Sequence, residues 1–164
     1  SGLEQALPAL PNARVVMVFA DDTLLPDVEE QVRRSSILQA RVTLAARVSR
    51  DEMPNYYSAA DVFVSGSHYE GSGYALIEAM SAGLVPIVTD IPSFRSIAGD
   101  CGERWQPGDA NEFASAVRRV ASIDLSDQRA RVRAQYDRVL RWDAIARRTV
   151  ADYQTLIDDK RAAG

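Results

Sequence analysis

The sequence predicts an α/β fold, a parallel sheet with helices on both faces. Three observations point there. Apolar, β-branched runs alternate with helix-like stretches along the chain, the pattern of a sheet covered by helices. Arg14 to Ala20 is a continuous apolar run, as expected of a parallel strand buried on both faces. The stretch from Asp61 to Ile91 reads as strand, glycine loop, helix, turn and strand, and two parallel strands need such a helical crossover.

The elements follow in order. Leu3 to Leu10 has helical composition and stops at Pro11-Asn12, ahead of the strand from Arg14 to Ala20. Asp27 to Ala40 reads as one helix after Pro26, and Val42 to Ala46 as a strand. Asp51 to Ala60 reads as a helix capped by Ser49 or Asp51, since hydroxyls and carboxylates accept from free first-turn amides. Asp61 to Val64 is a short strand, and Ser65 to Gly73 a loop with three glycines and no aliphatic side chain. Tyr74 to Ala82 has helical composition, with Gly83 at the left-handed C-cap. Leu84 to Thr89 is a strand with Pro86 near its start, where a missing N–H is tolerated. Asp90 to Arg104 reads as irregular, with at most a short helix over Phe94 to Ala98. Asn111 to Ala121 is a helix with Asn111 as N-cap and Phe113, Ala116, Val117 and Val120 on one face. Ser126 to Leu140 is helical. Residues 142–158 form an amphipathic helix, its stripe running from Trp142 through Ile145, Val150 and Tyr153 to Leu156 and Ile157. The whole, 1–164, is one domain's worth of chain.

Composition excludes several classes. A net charge of −4 gives no support for a nucleic-acid partner. Cys101 is the only cysteine, which rules out an internal disulfide and fits a reducing compartment. With no signal-peptide pattern and no apolar run near the ~18 residues of a membrane span, the expectation is cytoplasmic, or membrane-peripheral through another lobe. His68 is the only histidine and has no second ligand nearby, so no metal is expected.

The chemistry follows from the glycines. A helix N-terminus carries unpaired N–H groups and roughly half an elementary positive charge, so it attracts phosphate. Gly71 and Gly73, just ahead of Tyr74, let backbone approach an anion with no Cβ in the way. Glu70 precedes the helix and Glu78 lies inside it, both next to the phosphate position. Each carboxylate would be repelled by phosphate and would reach past it to hydroxyl donors, those of sugar and ribose.

Glu70 and Glu78 have seven residues between them, and EGSGYALIEAMSAGLVPIVT resembles the signature of retaining glycosyltransferases of the group 1 type (family 4). The resemblance extends back over Val42 to Asp61 and forward over Gly102 to Val120, with its Pro107-Gly108-Asp109. It implies one lobe of a GT-B fold, Rossmann-like, and the C-terminal, donor-binding one. It further implies that Glu70 is the catalytic residue, contacting the donor sugar, and that Glu78 binds the donor ribose. Gly71, Ser72, Gly73, Tyr74 and Ala75 would hold the diphosphate and sugar, with the backbone of Arg47, Val48 and Ser49 near the nucleobase. No cofactor is implied, the nucleotide-diphosphate sugar being a substrate. The chain departs from the pattern at Ser72, usually aromatic, and at Gly66, often proline.

The resemblance also implies that the lobe's first strand, its basic loop and an N-terminal acceptor lobe are missing here. The absent strand would be central in the sheet, so either the strands from Arg14 and Asp61 close up or another chain fills the gap. A homodimer through 142–158 or through the open sheet is a further expectation. Two alternatives remain open. One is a lobe that binds nucleotide sugars without transferring them. The other is a receiver-like signalling module, suggested by Asp21-Asp22 after the first strand. That module needs a lysine near a late strand end, whereas Lys160 lies far beyond, and Val42 to Ala46 runs into Arg47 rather than an aspartate. Asp90, ending the strand after the motif helix, is a weaker candidate for lining the crevice.

Overall fold

The computed structural model describes residues 1–19 and 21–162; Ala20, the end of the expected first strand, lies outside the described residues. Its best-buried strand is β4 (Val85–Thr89), every residue of which is buried. β4 pairs in parallel with β3 (Val62–Ser65) and with β5 (Glu103–Trp105). A separate parallel pair joins β1 (Val15–Phe19) to β2 (Val42–Ala46). The α/β architecture with parallel strands is therefore observed, but in two sheets, of order β1-β2 and β3-β4-β5.

Alternation along β4 sorts the core. Val88 packs with Leu76 and Met80 of α5 (Tyr74–Ser81), and with Phe94 and Ile97 of α6 (Pro92–Ala98). Val132 of α8 (Leu125–Gln135) completes that side. Val85 and Ile87 point the other way, onto Trp105 and onto Ala116 and Val120 of α7 (Ala110–Ala121). One strand thus supplies both layers, as its period of two requires.

Several expected elements differ. The Asp27–Ala40 helix is two, α2 (Leu25–Arg34) and α3 (Ser36–Arg41), because Ser35 turns extended and caps α3 through its hydroxyl. The following helix, α4 (Met53–Ala59), begins later than Asp51, and neither Ser49 nor Asp51 caps it; Ser49 instead donates to the Glu52 carboxylate. Asp109, not Asn111, caps α7, accepting from the amides of Asn111 and Glu112. The supposedly irregular Asp90–Arg104 contains all of α6 and the start of β5. Short apolar runs broken by glycine hid both. The front helix is α1 (Gly2–Ala6) with a 3₁₀ turn over Leu7–Ala9. The helix expected to reach Leu140 ends at Gln135 and continues as a π turn.

β1 and β3 do not close up. Between them runs an apolar cleft lined by Met17, Val28, Val32, Val64 and Trp105, with Ser1 to Leu3 at one side. β1 is also not buried on both faces: Val16 and Val18 are exposed, as is Val64 on β3. Their bareness marks uncovered faces of the two strands, each of which also has one unpaired edge. The last helix, α9 (Trp142–Ala162), leaves its apolar stripe uncovered, with Trp142, Val150, Tyr153 and Leu156 all more than 60% exposed.

Two stability outcomes follow. Gly102 has φ +69°, and a Cβ there would lie 1.9 Å from the Pro86 carbonyl oxygen, so the glycine sets how closely β5 approaches β4. Gly102→Ala should destabilise by on the order of 1–3 kcal/mol, while Leu156→Ser on the bare face of α9 should stay within about 0.5 kcal/mol. Thermal melts of the two variants check both.

Candidate functional site

The site is built on the N-terminal end of α5. Its cap residue, Gly73, is buried and left-handed at φ +59°, and no side chain caps the helix. A Cβ at Gly73 would come within 2.6 Å of Ile97 Cδ1, with the Phe94 ring next to it. The left-handed backbone therefore favours glycine here, and a cap without a side chain leaves the first-turn amides without the usual acceptor. Outside, nothing approaches a Cβ built at Gly71 within 4 Å, and Gly71, Ser72, Tyr74 and Ala75 are all exposed. The positive helix end is open to solvent and not plugged by protein.

The loop before it is fastened at several points. Buried Thr89 donates its hydroxyl to the Ser67 carbonyl, tying the loop to the end of β4. The Ser65 and Ser67 hydroxyls lie 3.3 Å apart, and Ser67 donates to Glu70 Oε1 at 2.9 Å. Glu70 is half-buried, so this bond fixes its side chain at the mouth of the loop.

Glu78 lies just over one turn into α5, at the surface. Tyr57 of α4 donates its phenol to Glu78 Oε2 at 3.2 Å. The Tyr57 ring is buried against Ala79 and Leu84. Burial, and then the Glu78 charge, push its pKa up to about 12. A cleft of about 390 Å³ opens here, lined by Arg50, Met53, Pro54, Tyr57, Ser58 and Glu78, within the size range of small-molecule sites.

The other candidates are placed less centrally. Arg47 follows β2 in a left-handed conformation, φ 55°, and its guanidinium donates to Asp22 at 2.6 Å; Val48 is half-buried beside it. Asp22 is thereby an ion-pair partner of Arg47. His68 is exposed. Asp90 is held by two bonds from Arg95, at 2.6 and 2.8 Å, with Gln106 at 3.3 Å. The Arg95 bonds hold its carboxyl below the ordinary aspartate range. Among the described residues no group of three or more His, Cys, Asp or Glu converges, and no helix is long and apolar enough to cross a membrane.

From sequence alone, Tyr56 and Tyr57, inside the expected Asp51–Ala60 helix, read as helix packing rather than base stacking. For Tyr57 that holds for the ring and misses the hydroxyl, and Arg50, Met53 and Pro54 were not singled out. No local periodicity links Tyr57 to Glu78, twenty-one residues on; only the docking of α4 on α5 does. The raised pKa gives a direct check. In a spectrophotometric titration one of the six tyrosines should stay protonated until about pH 12, and Tyr57→Phe should remove that late step. Because the folded pKa lies above the unfolded one, this phenol's stabilisation is complete below pH ~10 and is lost as pH rises towards 12.

Comparison with known proteins gives a consistent set. The GDP-mannose:cellobiosyl-diphosphopolyprenol alpha-mannosyltransferase of Xanthomonas campestris is 29% identical over 171 residues, covering 97% of this chain and 43% of its own length. The O-antigen chain mannosyltransferase B of Escherichia coli is 26% identical over 165 residues, covering 94% of this chain and 42% of its own. Among solved structures, sucrose-phosphate synthase from Thermosynechococcus elongatus matches with a TM-score of 0.75 and 26% identity, over 96% of this chain and 42% of that one. The pneumococcal O-GlcNAc transferase GtfA, solved with UDP and GlcNAc, shares the fold with a TM-score of 0.73 at 18% identity, over 94% of this chain and 32% of that one. The chain spans less than half the length of each. The family model described as glycosyl transferases group 1 matches residues 1–137, and with most of its length so matched the chain belongs to that family.

Proposed function

We propose that this chain binds the nucleotide-diphosphate sugar donor of a retaining glycosyltransferase. The observation that carries the reading is the open, side-chain-free N-terminus of α5, with a tethered carboxylate before it and another a turn inside it. The amides of the Gly71–Ala75 segment take the diphosphate, whose charge the helix end favours. As the sugar leaves, negative charge grows on that diphosphate, and donors already in place stabilise it without reorganising. Glu78 takes the ribose hydroxyls beside the α4–α5 cleft, and Glu70 takes the sugar at the loop mouth. Arg47 and Val48, at the end of β2, contribute backbone towards the nucleobase. The curated relatives are more than twice as long, so transfer is proposed for the whole polypeptide and donor binding for this part of it.

Calorimetric titration of the full-length polypeptide with UDP-, GDP- and ADP-sugars tests the assignment. Glu78→Ala should weaken the best-bound donor by ~1–3 kcal/mol, the worth of hydrogen bonds to a charged group. Unchanged binding by that variant would overturn the reading. Glu70→Gln should act differently: transfer should fall by roughly 10²-fold or more, the scale of losing one charge-stabilising group. Binding of the sugar-free nucleoside diphosphate should persist in that variant, and both are read in a transfer assay beside a nucleotide titration.

A further inference from the structure

We propose that Tyr57 is a positioning residue for Glu78, its buried phenol holding the carboxylate in the arrangement that meets the donor ribose. The inference rests on the donor-binding reading and deepens it. Glu78 is an exposed glutamate on a helix surface, and such a side chain samples many rotamers when nothing holds it. Here one thing does. Tyr57 Oη donates to Oε2 at 3.2 Å, and the ring carrying it is held by burial against Ala79 and Leu84.

The chemistry of the pair suits the task. A neutral phenol brings a single proton, so it occupies one acceptor site and leaves the remaining carboxylate lone pairs for two vicinal hydroxyls. A lysine or arginine there would form an ion pair and compete for both oxygens. Tyr57 and Glu78 also line the same cleft, with Arg50, Met53 and Pro54. The hydrogen bond therefore sits at the edge of a space that a nucleoside can enter. A tyrosine serving only as packing would be equally well replaced by phenylalanine, and that difference makes the role testable.

The test uses the full-length polypeptide, with UDP, GDP and ADP each titrated beside their 2′,3′-dideoxy forms. The variants are Tyr57→Phe, which keeps the buried ring, Glu78→Ala and the double variant. For the best-bound nucleotide, Glu78→Ala should weaken the ribo form about tenfold or more, and Tyr57→Phe about three- to tenfold. The double variant should bind like Glu78→Ala alone, since without the carboxylate there is nothing to position. The preference for the ribo over the dideoxy form should shrink in Tyr57→Phe. If both forms weaken equally, the phenol supports the fold only, and the proposal fails. It also fails if Tyr57→Phe binds like the parent while Glu78→Ala does not, or if the two losses add in the double variant; in both cases the donor-binding reading stands. If Glu78→Ala itself changes nothing, that reading falls and this inference with it.

Discussion

The constraint on which the rest of this structure depends is the left-handed turn at Gly73, seated over α6. The left-handed turn there would strain any residue with a Cβ, and the Ile97 Cδ1 of α6 would have to give way to one. A helix whose cap must be glycine has no capping oxygen of its own, so its first amides stay available to an outside acceptor. The hydrophobic layer joining β4, α5 and α6 thus does two things at once. It buries the core of this half of the molecule and leaves an anion-seeking end at the surface. The tethers from Thr89, Ser67 and Tyr57 then fix what surrounds that end.

Burial is uneven across the sheet. β4 is enclosed on both faces and both edges, whereas β1 exposes Val16 and Val18 and leaves one edge unpaired. Val16 and Val18, 51% and 36% exposed, forgo roughly a third to a half of the ~1.5–3 kcal/mol that full burial of each would contribute. The β1-β2 half therefore gains less from burial than the β3-β4-β5 half, and its opening should be the easier of the two. The uncovered stripe of α9 belongs to the same pattern, since apolar positions at three- and four-residue spacing imply a covering surface that the described residues do not provide.

Much of this was legible from residue order alone. The strand, glycine loop and helix around Gly71 and Gly73 could be read because each has a local cause: β-branched runs, a loop without aliphatic side chains, a left-handed turn. The group 1 resemblance followed from the same stretch and from the spacing of Glu70 and Glu78. The break at Ser35, the cap at Asp109 and the strand at Glu103–Trp105 were not legible. Each is decided by competition among neighbouring polar residues or by pairing with a distant strand. In the candidate site, the two glutamates and the glycines were visible as a motif, but their tethers were not. Tyr57 reaches Glu78 only because Leu84 and Ala79 offer its ring a buried seat, a tertiary fact with no local signature.

That seat also shows how the two halves of the molecule are joined at the place where a ligand is proposed. α4 follows β2, in the loosely packed half, yet its buried tyrosine belongs to the cluster of α5 and the start of β4. A helix docked this way carries Met53 and Pro54, with Arg50 just ahead of it, to the wall of the cleft that Glu78 also lines. The shape of the cleft therefore depends on the docking of α4 on α5, and not on either sheet alone. A ligand bridging α4 and α5 would add contacts between the two helices, and binding only the docked arrangement would stabilise it in proportion to occupancy. Ligand binding at this cleft and the docking of α4 on α5 would then be two readings of one equilibrium.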